Sequence, residues 1–171
     1  ITALKYIMVN NWVSVVPKIE AAIQSLPSVR FRQEVIFQNE RSILVSDYGH
    51  CAHEISVTID MLRTRYNPKK MIVFFEPHKY SRLSSQWNAY INAFSSVQSV
   101  YVLPIFDRQV DPKELTVFRN KFCDAFNGQA IDLQQSESII RRYLDQFNVL
   151  IVSFSAGILY KHIDEYKGVF A

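Results

Sequence analysis

Residues 43–82 read ILVSDYGHCAHEISVTIDMLRTRYNPKKMIVFFEPHKYSR. The stretch opens on a short apolar run, Ile43 to Val45, and passes through a polar loop. It continues as a segment whose Ile55, Ile59, Leu62 and Tyr66 fall at i, i+4, i+7 and i+11. That spacing places the four on one face of a helix. Asn67-Pro68 ends it, because proline cannot continue a helix and drives the residue before it out of the helical region. A second apolar run, Met71 to Phe75, follows. Two short apolar strands joined through a helix are the pattern of a βαβ unit, in which a mostly parallel sheet is covered by helices on both faces.

The same alternation extends outward. Ser99 to Leu103, Ala130 to Leu133 and Val149 to Ser153 read as further strands. The helices between them are marked by Trp87, Ile91 and Phe94, by Leu115, Phe118, Phe122 and Phe126, by Ser136 with Ile139, Ile140, Tyr143 and Leu144, and by Ala156 to Tyr166. Asp111 can cap the second of these, Pro112 suits its first position, and Glu114 completes a capping-box pattern. Toward the amino end, Arg30 to Phe37 alternates as a strand should. With Ile43 to Val45 across an Asn39-Glu40 turn it predicts a hairpin that adds an antiparallel edge. The expected fold class is therefore α/β: a Rossmann-like three-layer domain, its sheet mostly parallel with an antiparallel edge strand or hairpin. Thr2 to Asn10 and Pro17 to Leu26 read as two short helices with no strand between them, the second ended by Pro27. The expected division is residues 1–27 as the helical tail of a preceding domain and residues 28–171 as the α/β domain. The chain opens at Ile1 without methionine and reads as an excised fragment.

Composition narrows the function. Only four of the 171 residues are glycine, about 2% against a usual share of about 7%, and they are scattered. Neither G-x-G-x-x-G nor G-x-x-x-x-G-K-[ST] can be written, so any nucleotide phosphates must be held by other means. Nineteen basic and sixteen acidic residues give a net charge of +3, interspersed rather than clustered, too weak a field to argue for nucleic acid or an anionic membrane. Cys51 and Cys123 lie far apart with no C-x-x-C, which fits a reduced, cytoplasmic setting. The longest apolar runs fall well short of the ~20 residues of a bilayer span.

In open α/β sheets ligands bind outside the carboxyl ends of the strands, so the loops that follow strands are the first place to look for chemistry. Two are unusually polar: Ser46 to Glu54, and Glu76-Pro77-His78-Lys79-Tyr80-Ser81-Arg82. They hold three of the four histidines. If their strands are neighbours, Asp47, His50, His78, Lys79 and Arg82 converge on one rim, giving cations for a carboxylate or phosphate and a carboxylate for a ribose or amine. His50, Cys51 and His53 do not match H-E-x-x-H or H-x-x-E-H, and no metal site is expected. Ser153-Phe154-Ser155-Ala156-Gly157 lies at a strand-to-helix turn like a nucleophile elbow. It lacks the first glycine, and His162 is two turns down the same helix, so a hydrolase triad is not expected either. Cys123, Trp87 and the phenylalanine stripe read as core.

Val45-Ser46-Asp47-Tyr48-Gly49-His50 and, about 25 residues on, Phe74-Phe75-Glu76-Pro77-His78-Lys79-Tyr80-Ser81-Arg82 strongly resemble two motifs of the Mur ligase family's C-terminal domain, written D-D-Y-[AG]-H-x-P-T-E-[IV] and F-[QE]-P-H-R-Y-[ST]-R. The close match covers about Ile43 to Arg82. The resemblance implies a three-domain, ATP-dependent ligase of peptidoglycan synthesis. Such an enzyme joins an amino acid, here L-alanine, to UDP-N-acetylmuramate through an acyl phosphate, with ATP and Mg2+ bound mainly by a central domain. The protein's own central and N-terminal domains would be its partners, and the fragment alone would be inactive. By the same resemblance Asp47 would approach the nucleotide, Tyr48 and His50 would line the substrate cleft, and His78, Lys79 and Arg82 would meet the amino-acid carboxylate or developing negative charge. Ser46, Cys51, Ala52, His53 and Lys79 depart from the motifs. The loop Pro104 to Arg108 lacks the family's Tyr-x-x-Gly-Glu. These departures keep a second reading open, a non-catalytic muropeptide-binding or protein-interaction module on the same fold. A third is a ligase for another amino acid or for recycled tripeptide.

Overall fold

The computed structural model describes residues 12–25 and 31–165. A helix α1 covers Trp12–Ser25, starting before Pro17 rather than at it. The expected Thr2 to Asn10 helix and the Leu26-Pro27 stop lie outside the described residues.

Six strands form one sheet: β1 (Glu34–Gln38), β2 (Ser42–Asp47), β3 (Lys70–Glu76), β4 (Ser99–Val102), β5 (Gln129–Ala130) and β6 (Val149–Ser155), in the spatial order β1-β2-β6-β3-β4-β5. All neighbours are parallel except β1 and β2, which are antiparallel, as the hairpin reading requires. The Asn39 side chain holds that turn by accepting from the backbone N–H groups of Arg41 and Ser42, each at 2.8 Å.

The expected Ala130 to Leu133 strand is reduced to two residues. Asp132 and Gln135 close a capping box, so the chain turns into helix α6 (Leu133–Leu144) instead of extending the strand. The other helices are α2 (Ala52–Tyr66), the short α3 (Tyr80–Ser85), α4 (Trp87–Phe94), α5 (Pro112–Asp124) and α7 (Leu159–Glu165). Asn67 ends α2 in the left-handed conformation, and Asp111 caps α5 through the Lys113 N–H at 2.7 Å. Helix α7 begins three residues later than Ala156, because the turn before it is held by a side chain from β3.

The alternation of side chains along the strands divides the core in two. Val45, Val73, Phe75, Val102 and Val152 point to one face, where α2, α4 and α5 cover them with Ile59, Phe94, Phe122 and Cys123. Leu44, Ile72, Phe74, Tyr101 and Ile151 point to the other, under Ile140 and Tyr143 of α6 and Leu159 and Ile163 of α7. The first face is aromatic: Phe75 lies 5.3 Å from both Tyr90 and Phe94, and Trp87 meets Phe122 edge-on at 5.2 Å. Such pairs add to the burial of their area. Cys123, Trp87 and the phenylalanine stripe are thus packing residues. Burial raises the Cys123 thiol to about 11.

Candidate functional site

The polar loops do follow β2 and β3, but those strands are not neighbours. Strand β6 runs between them, in register with both, so they are two strand spacings, about 10 Å, apart. The loops still lean together over the end of β6, and the rings of His50 and His78 meet edge-on at 6.3 Å.

Asp47 ends β2 and is turned inward, 3% exposed. One oxygen accepts from the Gly49 N–H at 2.6 Å and the other from the Gln33 N–H at 3.0 Å. A side chain at Gly49 would run into that carboxylate, with its Cβ 2.7 Å from Oδ1, which accounts for a glycine there. Asp47 forms one wall of an open cavity of about 290 Å³ shared with Arg32, Gln33, His53 and Glu54. Tyr48 is exposed, with the Arg32 guanidinium 5.3 Å from its ring and His50 at its edge.

His50 precedes α2. Its backbone carbonyl accepts from the Tyr90 hydroxyl at 2.6 Å, and burial raises the Tyr90 phenol, which therefore stays a donor. Glu54 accepts from the backbone N–H groups of His50 and Cys51, closing a capping box over the helix start. His50, Cys51 and Glu54 place their ligand atoms within 4.8 Å of one another, a grouping that this cap explains.

The loop after β3 is built differently, from across the sheet. Phe106 donates its N–H to the Pro77 carbonyl at 2.8 Å and accepts from the Lys79 N–H at 3.0 Å, while its ring stacks on His78 at 5.5 Å. Asp107 accepts from the Tyr80 N–H at 3.0 Å and from the Gln109 N–H at 3.0 Å, bonds that hold its carboxyl below the usual range. Between these ties Lys79 takes φ 70°, ψ 125°, a region that favours glycine and costs an L-residue about 1–3 kcal/mol. Burial, and then the charges of Arg82, His50 and Lys79, lower the His78 imidazole below its ordinary value, so it is a neutral acceptor near pH 7. Neither Lys79 nor Arg82 pairs with a described carboxylate. The Arg82 Nη1 is buried with no hydrogen-bond partner among the described residues.

The structure therefore gathers Tyr48, His50, His78, Lys79 and Arg82 at one rim and turns Asp47 away from its centre. Reading the sequence gave Glu76 no role of its own. It is 5% exposed at the end of β3, accepts from the Ser155 hydroxyl, and takes the N–H groups of Ile158 and Leu159, both at 2.9 Å. Gly157 packs flat against this carboxylate. Ser155, the candidate elbow serine, is thus a buried donor to Glu76. The signal for Glu76 was its place in the second motif; its partners lie some 80 positions away and could not be read.

Related proteins share this arrangement of sequence. A UDP-N-acetylmuramate–L-alanine ligase from Hydrogenobaculum sp. is 25% identical over 154 residues, 88% of this chain and 33% of the relative. The enzyme of the same name from Limosilactobacillus reuteri is 30% identical over 132 residues, covering 72% and 28%. This chain is a relative of the Mur ligases. No protein-family model matches it. Among solved structures, the UDP-N-acetylmuramate-alanine ligase of Thermotoga maritima superposes with a TM-score of 0.66 at 15% identity, over 88% of this chain and 33% of that one. A folylpolyglutamate synthase of Mycobacterium tuberculosis gives 0.63 at 12%, over 90% and 34%. The fold is that of the Mur ligase C-terminal domain, and the chain spans about a third or less of the relatives' length.

Proposed function

We propose that this chain is the amino-acid-binding C-terminal domain of an ATP-dependent Mur-type ligase that joins a small amino acid, L-alanine, to UDP-N-acetylmuramate through an acyl phosphate in the cytoplasm. The observation that carries the reading is the rim itself: two cations without carboxylate partners among the described residues, Lys79 and Arg82, beside a neutral imidazole, His78. A substrate carboxylate would accept from Arg82 and Lys79. His78 and His50 would flank the amine, His78 as an acceptor for its N–H, and Tyr48 would close the exposed side. Fixing the amine in this way turns a bimolecular attack into an oriented one, and closing the rim keeps water from a hydrolysable acyl phosphate.

The nucleotide fits this chain only at its edge. Both Asp47 oxygens already accept backbone bonds, so Asp47 would shape the wall of the Arg32–His53 cavity rather than grip a ribose alone. ATP and Mg2+ would be held mainly by a phosphate-loop domain of the same protein and would supply carboxylate activation.

The test is ATP- and amino-acid-dependent phosphate release by the full-length protein with UDP-N-acetylmuramate, across a panel of amino acids. Turnover selective for L-alanine is expected. Absence of turnover with every muramyl substrate would leave the non-catalytic binding module, for which Ser46, Ala52 and the altered loop after β4 speak.

A further inference from the structure

A second crevice lies toward the β5 edge of the sheet. After β4 the chain passes to the α5 face, and after the adjacent β5 it passes to the α6 face, as the two core clusters require. Adjacent parallel strands whose connections diverge leave a crevice outside their carboxyl ends, the usual ligand position in open α/β sheets. Here it is a cavity of about 170 Å³, walled by Pro104 and Ile105 after β4 and by Pro112, Leu115 and Thr116 of α5. None of the rim residues Tyr48, His50, His78, Lys79 or Arg82 lines it.

Two charges stand among these mostly apolar walls, Arg119 and Asp132. Arg119 lines the cavity with its side chain only 11% exposed. Its Nη1 donates to the Ile131 carbonyl at 3.0 Å, but its Nε is buried with no partner among the described residues. The nearest counter-charge is Asp132 at 3.7 Å, itself 67% exposed and already capping α6. A guanidinium so placed is desolvated more than it is compensated, and an unmet N–H on a buried cation is costly. An anion in the cavity would relieve both. The volume equals about six waters at about 30 Å³ each, and mostly apolar walls with one planar cation beside the solvent-exposed Asp132 select a short hydrocarbon bearing a carboxylate.

We propose that the β4–β5 crevice is a binding site for a small apolar carboxylate, recognised by Arg119 and packed against Ile105, Pro112 and Leu115. The site is separate from the amino-acid rim and does not depend on ligase activity. Its test is a titration of the protein with sodium propionate at constant ionic strength, followed by backbone amide NMR, with n-propanol and inorganic phosphate as parallel probes. Saturable shifts at Ile105, Thr116, Arg119 and Asp132 are expected with propionate and not with propanol. Thr116→Phe, which fills the cavity from an exposed position and leaves the Arg119–Ile131 bond in place, should weaken binding about tenfold or more. Arg119→Gln should weaken it at least as much, a charged hydrogen bond being worth about that factor. If Arg119→Gln fails to fold, Thr116→Phe carries the test. Equal shifts with propanol or tighter binding of phosphate would overturn the proposal. So would shifts confined to His78–Arg82, an unaffected Thr116→Phe, or no saturation.

Discussion

The two loops of the rim solve the same problem with different shares of local and distant bonding. The loop after β2 combines local and distant ties: Asp47 holds Gly49 two residues on and Glu54 holds His50 and Cys51 across one helical turn, while Phe31, Gln33 and Tyr90 bond to Tyr48, Asp47 and His50. The loop after β3 is wired to other parts of the chain. Pro77, Lys79 and Tyr80 are tied to Phe106 and Asp107, and Glu76 is tied to the turn after β6. Local wiring fixes a loop whatever its surroundings. Distant wiring makes the position of His78, Lys79 and Arg82 depend on two other strand ends, and there the structure carries a strained Lys79 and an Arg82 nitrogen without a partner among the described residues. The carboxylates of the rim hold its backbone, and Lys79 and Arg82 pair with no carboxylate among the described residues.

Breaking the distant wiring should have the largest effect. Glu76→Ala removes the carboxylate that accepts from the Ser155 hydroxyl and from the Ile158 and Leu159 N–H groups. A loss of about 3–5 kcal/mol is expected in urea unfolding. A loss below about 1 kcal/mol would mean that the turn after β6 holds itself and the contrast between the loops fails.

The contrast also separates holding residues from binding residues. Arg82→Ala should leave the unfolding midpoint nearly unchanged while lowering kcat/KM for the amino acid about 10- to 100-fold in the full-length protein, as expected for loss of a charged hydrogen bond to the substrate. Unchanged kinetics would remove Arg82 from the site. Lys79→Gly should raise stability by up to about 1 kcal/mol, since glycine accepts the positive φ at no steric cost. Unchanged or lower stability would show that the Phe106 tie holds no strain.

The smallest expected effect is in pH dependence. The His78 pKa is lowered in the folded protein from an ordinary 6.5, so between that value and the lower folded one the unfolded chain binds more protons. Stability should be complete above pH 6.5 and fall as pH drops through the folded value, and His78→Gln should remove that slope. A His78 imidazole that titrates by NMR at or above 6.5 would contradict the crowding of cations described here.

Much of this molecule could be read along the chain, because its strands and helices are dictated by local periodicity. Ile55, Ile59 and Leu62 predict α2 and are fully buried, and the Met71 to Phe75 run is the centre of β3. Asp111 before Pro112 predicts the start of α5, and the Asn39-Glu40 turn predicts the antiparallel edge. The reading fails at β5, where Asp132 and Gln135 cap a helix instead of extending a strand. The rim's polar residues were legible as well, since their types and their position after strands are local facts.

Their assignment was not. The sequence cannot place β6 between β2 and β3, because that order depends on where a strand some 75 residues further along inserts. Nor can it show that the rim's carboxylates are taken up by backbone N–H groups while its cations pair with none of the described carboxylates. Local periodicity determined the elements and the chemical inventory of this chain. Burial and long-range hydrogen bonding, which exist only once the sheet has assembled, decided that the Asp47 and Glu76 carboxylates accept backbone N–H groups and that Arg82 and Arg119 each keep a buried nitrogen without a partner among the described residues.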